Sequence, residues 1–218
     1  METSLMPRPE VPLVIANANR LSVRQRKRWM EILFSWESKN TYVVYNEAGE
    51  PVLNVQEQGK GIGKLLKRLF LRSLRPFTVH VEDLTAQDLE KGHVMTLTRP
   101  FRFFFHRLEI TGSDGKVYGA IQRRWAWLRR KYDIEGPNGE HIASLFGPIL
   151  RPWTFEVRMP GSDECVALVQ KKWSGLAKEM FSEADNFWVE MDNISDPQLR
   201  AILFAATVLI DIVHFEQS

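Results

Sequence analysis

Nine consecutive residues, Arg123-Arg124-Trp125-Ala126-Trp127-Leu128-Arg129-Arg130-Lys131, interleave five cations with two tryptophans. Tryptophan favours the headgroup level of a bilayer, and cations favour anionic lipid. The same mixture also binds single-stranded nucleic acid by stacking, and a hairpin with its tryptophans inward and its arginines solvated would use the same residues. A second basic segment runs from Ile62 to Leu74. On a helical wheel Ile62, Leu65, Leu66 and Leu69 fall near one face and Lys64, Lys67, Arg68 and Arg72 near the other. This predicts a short amphipathic helix suited to an anionic membrane surface. Arg24-Gln25-Arg26-Lys27-Arg28 could serve either surface or a nuclear-localisation patch.

Bond-making chemistry finds no comparable support. His80, His93, His106, His141 and His214 are scattered, without a His-x-x-x-His pair for a metal. No Gly-x-Ser-x-Gly elbow is present. Gly59-Lys60-Gly61-Ile62-Gly63-Lys64 lacks the spacing of a phosphate loop, and Leu65 stands where Ser or Thr would follow the lysine. A non-enzymatic binding role is expected. The single cysteine, Cys165, excludes an intrachain disulfide and suits a reducing compartment; it is expected to be a small core residue.

The elements that must position these residues are mostly strands. Tyr42–Tyr45 and Val52–Val55 flank Ala48-Gly49, Leu108–Ile110 and Val117–Ile121 flank Asp114-Gly115, and Tyr132–Ile134 and Ile142–Phe146 flank Asn138-Gly139. Phe155–Val157 and Val166–Val169 flank Gly161-Ser162-Asp163, and Phe77–Val81 returns near Val94–Leu97. Five such hairpins give about ten strands, enough to close a barrel or split into a sandwich. The exception is a helix over 197–215, with Asp196 as cap and Pro197 in its first position. From Leu199 to Phe215 it carries only Arg200 and Asp211 as charges, and it includes Leu203, Phe204, Leu209 and Ile210. Without a polar face it must be buried all round. Its charge-free run, Ala201–Ile210, is too short for a membrane span of ~20 residues. A buried Asp211 needs a partner.

The chain of 218 residues fits one domain. Residues 1–19 lack the apolar core of a secretory signal and are expected to be a disordered arm ahead of a domain over 20–218 in an intracellular, non-secreted protein. Residues 1–131 hold 23 cationic against 13 acidic side chains and residues 132–218 hold 6 against 14, balances of +10 and −8 within a net +2. Either a basic face results, or the halves interleave and the polarity disappears.

Lys172-Trp173-Ser174-Gly175, Glu179-Met180-Phe181-Ser182-Glu183-Ala184-Asp185-Asn186-Phe187 and the closing Leu209-Ile210-Asp211 resemble the phospholipid scramblase family. Arg75-Pro76-Phe77, Thr98-Arg99-Pro100-Phe101, Phe146-Gly147-Pro148 and Phe155-Glu156-Val157 fall in the order that family shows, so the likeness spans about residues 20 to 217. The resemblance implies a mainly β fold, a closed antiparallel tubby-like barrel of twelve strands around a buried C-terminal apolar α-helix. It implies ATP-independent, bidirectional phospholipid movement and, for the wider tubby-like group, phosphoinositide binding and adaptor roles. The partners implied are anionic phospholipid or phosphoinositide membranes, a protein partner, and nucleic acid less so. The alternative is a tubby-like adaptor that binds protein or nucleic acid and moves no lipid.

The family's calcium stretch matches Glu183, Asp185, Phe187, Val189, Met191 and Ile194. Ile194 replaces the closing acidic ligand, with Asp192 and Asp196 near enough in sequence to substitute, so weak Ca2+ binding competes with a plain strand having Asp185, Phe187, Val189 and Met191 on one face and Asn186, Trp188, Glu190 and Asp192 on the other. The family's acylated cysteines have no counterpart in Arg102-Phe103-Phe104-Phe105-His106; those phenylalanines suit either an interface or a strand covered on both faces. Trp125 matches a common family tryptophan and is expected in the core, which leaves Trp127 and the arginines as the functional residues.

Overall fold

The computed structural model describes residues 10–25, 41–58, 76–86, 92–100, 107–125, 129–148, 150–151, 153–172 and 186–214. Twelve strands form a closed antiparallel barrel: β1 (Arg20–Gln25), β2 (Thr41–Tyr45), β3 (Pro51–Glu57), β4 (Phe77–Asp83), β5 (His93–Arg99), β6 (Arg107–Gly112), β7 (Val117–Arg124), β8 (Arg129–Glu135), β9 (His141–Pro148), β10 (Thr154–Arg158), β11 (Cys165–Lys172) and β12 (Asn186–Glu190). Each strand pairs with its sequence neighbours, and β1 closes the ring against β12 with Leu21 opposite Val189. The period-two pattern sets the inside. Phe77, Val79 and Val81 of β4 are buried, while Thr78, His80 and Glu82 between them are half-exposed. The Asp-Gly and Asn-Gly turns work as their sequences require, with Gly115 at φ 78° and Gly139 at φ 82°.

A short helix, α1 (Leu13–Ala16), precedes the barrel, and a long one, α2 (Pro197–His214), fills it. At ~1.5 Å per residue α2 is ~27 Å long, close to the span of an eight-residue strand at ~3.4 Å per residue. Leu199, Leu203, Phe204, Leu209 and Ile210 are at most 4% exposed, as the absence of a polar face demands. The Asp211 side chain lies outside the described residues. Asp196 Oδ1 accepts the Gln198 N–H at 3.1 Å, so the helix begins with the expected cap. Among the described residues, no helix is long and apolar enough to cross a membrane.

The helix meets the wall closely at Gly119 of β7. A methyl group there would stand 2.8 Å from Ile202 Cδ1 and closer still to the Glu135 carbonyl oxygen. Arg200 is 8% exposed, and its guanidinium donates to the carbonyls of Ile194 (2.7 Å), Ala16 (3.0 Å), Ala18 (2.7 Å) and Met191 (3.4 Å). Of the arm expected over 1–19, residues 1–9 lie outside the described residues, and this clamp corrects the expectation for 10–19. From Glu10 onward the segment is packed: Ile15 is fully buried, and the Tyr118 hydroxyl donates to the Glu10 carbonyl at 2.6 Å. Cys165 is likewise exposed at the start of β11 and not in the core, its thiol directed to the Ala167 carbonyl at 3.2 Å.

Candidate functional site

The up-and-down order gives the barrel two different ends. The turns 46–50, 113–116, 136–140 and 159–164, the connections 84–92 and 191–196 and the start of the domain before β1 belong to the end where α2 begins, the turn end. The connections 26–40, 58–76, 100–106, 125–128, 149–153 and 173–185 all join strands at the opposite, loop end. By sequence, the turn-end segments contain 2 cationic and 11 acidic residues, and the loop-end connections contain 13 cationic and 5 acidic. Trp29, Trp36, Trp125, Trp127, Trp153 and Trp173 belong to loop-end connections; of the seven tryptophans only Trp188, in β12, does not.

Trp125 follows the last rung of the β7–β8 ladder, Arg124 opposite Lys131, and is 73% exposed. The core position expected for it is therefore wrong: a residue one step past the wall has no inner face to occupy. Leu150, in the β9–β10 connection, is 95% exposed, and Arg123 and Arg151 are exposed at the same end. The turn end has exposed apolar residues too, Leu13, Leu84, Val117 and Met159, but set among carboxylates.

The cations of the 123–131 segment are not equivalent. Arg124 is committed to the outer wall, with Nε 2.8 Å from Asp133 and an NH2 group 3.3 Å from Glu135. Lys131 Nζ lies 3.6 Å from Asp133 and 5.5 Å from the centre of the Phe146 ring. Arg130 shares the inward face of Tyr132 and Ile134; its guanidinium lies 4.7 Å from the centre of the Phe155 ring, and burial lowers its pKa, with Arg123 adding to the effect. Arg123 stands opposite Tyr132 and remains exposed. Trp127, the Arg129 side chain, the segment holding Lys64, Lys67, Arg68 and Arg72, and the run 101–106 lie outside the described residues.

The calcium positions are divided by a strand. Phe187, Val189 and Met191 are buried, as the strand alternative requires. Five extended residues, ~17 Å at ~3.4 Å each, separate the start of β12 from the connection where Asp192 and Asp196 are exposed at the turn end. Asp192 and Asp196 thus lie at the end of the barrel opposite the start of β12. Glu183 and Asp185 themselves lie outside the described residues.

A serine, a histidine and an aspartate do meet on the wall, but in the wrong order for acyl transfer. Ser144 Oγ lies 2.8 Å from His141 Nε2 and donates to Asp133 at 3.2 Å, so the carboxylate engages the hydroxyl instead of orienting the imidazole. Ser144 is also buried. Sequence reading missed this cluster, the Arg200 clamp and the exposed Leu150; none has a local motif.

A closed barrel threaded by an apolar helix, with cations and tryptophans gathered at one end, defines a class of architecture more than a reaction. The scramblase family model matches residues 1–217, and the chain belongs to that family. It is 26% identical to phospholipid scramblase 2 of Homo sapiens, over 98% of this chain and 75% of that protein. It is 26% identical to phospholipid scramblase 1 of Mus musculus, over 99% and 69%, and 24% identical to phospholipid scramblase family member 5 of Homo sapiens, over 100% and 83%. A solved structure from Arabidopsis thaliana aligns over 90% of this chain and 99% of its own, at 15% identity and a TM-score of 0.47.

Proposed function

We propose that this scramblase-family protein binds anionic phospholipid surfaces end-on, with the loop end against the membrane and α2 remaining inside the barrel. The observation that carries the reading is the sorting of charge and tryptophan along the barrel axis: Arg123, Arg151, Trp125 and Leu150 are exposed at the basic end, and the acidic turns lie at the other. An anionic bilayer attracts the first end and repels the second, over a Debye length of ~8 Å at physiological salt. Phosphatidylserine or phosphoinositide headgroups supply the charge. Lipid movement by a lone subunit that exposed α2 would forfeit the burial of Leu199–Ile210 and open the barrel. Surface binding is therefore the primary activity of the isolated chain.

Vesicle flotation tests this. The protein should float with phosphatidylserine or phosphoinositide vesicles at low salt and not with neutral phosphatidylcholine. The pair Arg123→Gln and Arg151→Gln should weaken binding by ~2 kcal/mol, about thirtyfold, at ~1 kcal/mol per cation. The pair Trp125→Ala and Leu150→Ala should add a loss that salt does not change. Leu13→Ala at the turn end should change nothing. Folded loop-end variants that float like the parent chain would remove this reading and favour a protein-binding adaptor.

A further inference from the structure

The outer wall carries a cluster that neither lipid binding nor the family likeness accounts for. His80 and Glu82 stand two apart on β4 and share its outward face. Across the ladder, β5 places Thr96 opposite His80 and His93 opposite Glu82. Strict alternation along β5 would send His93 inward with the buried Met95 and Leu97. The register instead shifts between Val81 and Glu82: Met95 pairs with Val81, His93 pairs with Glu82, and Val94 is the extra residue of a β-bulge. Bulges re-aim side chains, and this one brings His93 against His80, their ring centres 4.8 Å apart.

Both rings are also held from behind. His80 Nδ1 lies 3.3 Å from Gln58 Nε2, and His93 Nε2 lies 3.1 Å from Thr96 Oγ1. That leaves His93 Nδ1, which is buried and has no hydrogen-bond partner among the described residues. In the tautomer whose Nε2–H donates to Thr96 Oγ1, Nδ1 carries a lone pair beside a second imidazole, a combination that suits a shared Lewis acid and is costly left alone. The Glu82 carboxylate, held by the Asn54 side-chain amide at 2.9 Å, stands at the same patch.

We propose that His93 Nδ1 and an imidazole nitrogen of His80 bind a borderline transition-metal ion of the Cu2+ or Zn2+ class, with Glu82 turning from Asn54 to supply an oxygen and water completing the shell. Imidazole suits these ions. Metal–nitrogen bonds of ~2.0–2.1 Å place two ligand nitrogens about 3–3.5 Å apart, and side-chain rotations from the present tilted pairing, 45° between ring planes, would bring the nitrogens to that separation. As the side chains stand, no three His, Cys, Asp or Glu groups converge among the described residues, so the movement of Glu82 is part of the proposal.

The test is titration of the whole chain, without lipid, with Cu2+ or Zn2+ salts at pH 7.5 in a non-chelating buffer, followed by calorimetry. The Cu2+ form is then read by electron paramagnetic resonance for nitrogen couplings. One ion should bind per chain, with two imidazoles coupled to copper. His80→Gln and His93→Gln should each weaken it about tenfold or more, and Glu82→Gln by less. His141→Gln should have no effect. Thermal melts of each apo variant, with His80→Asn as a second replacement, separate loss of ligand from loss of fold. Binding no tighter than ~0.1 mM, a single coupled imidazole, or equal binding by folded His93→Gln would each overturn the proposal. Because no membrane is present, none of these outcomes bears on the lipid reading.

Discussion

Asp133 sits on the outward face of β8, with Arg124 Nε at 2.8 Å, Ser144 Oγ at 3.2 Å and Lys131 Nζ at 3.6 Å. Burial alone would raise its pKa; the Arg124 hydrogen bond, with Lys131, His141 and Ser144, outweighs that and holds it below the ordinary 3.8. A depressed carboxylate pKa contributes stability that is complete above the unfolded value and is lost as pH falls through the folded one. Asp133→Asn should therefore lower Tm at neutral pH, and the gap to the parent chain should close below about pH 4 in melts run from pH 7 to 2.5. A gap unchanged across that range would show that the contact acts through packing alone. This network also explains why the cations of 123–131 could not be ranked from sequence. Residue type identifies Arg124 as basic, but its Asp133 and Glu135 partners come from the neighbouring strand, and only the rung register reveals them.

At the scale of elements, helix and wall fit through a missing side chain. Gly119→Ala would drive a methyl into Ile202 Cδ1 and the β8 backbone. Overpacking of this kind costs ~1–3 kcal/mol. Urea unfolding should show a lower midpoint with an unchanged slope, and an unshifted midpoint would mean that α2 does not press on β7 there. The helix was legible because Leu199–Ile210 offers no polar face and Asp196-Pro197 announces its start. Four of the five central hairpins were legible because a glycine-bearing turn separates two apolar alternations, and the fifth, β4–β5, from its alternation alone. β1 was not, since it closes the barrel by pairing Leu21 with Val189 from the far end of the domain. The ten-strand count from hairpins fell two short for that reason, β1 and β12 lacking a tight turn of their own. Arg200 was illegible too, because its acceptors are backbone carbonyls at residues 16, 18, 191 and 194, and carbonyls have no sequence signature.

At the scale of the whole molecule, the chain's charge is sorted in two directions. Strands β1–β7, from the basic half of the sequence, form one contiguous arc of the ring and β8–β12 the other, so the two halves stay on separate sides and do not interleave. Up-and-down topology also sorts the connections by end, and the cationic, tryptophan-bearing ones alternate with the acidic turns along the chain. That axial polarity was invisible until strand order was fixed, and Trp125, expected in the core, is instead an exposed residue of the loop end. The central claim is best tested by tryptophan quenching with brominated phosphatidylserine vesicles. End-on docking predicts strong quenching of the bound protein's emission, with the quenched portion reduced by Trp125→Phe. Vesicle-bound protein whose emission is unquenched, or whose quenching is the same in Trp125→Phe, would contradict docking through this end.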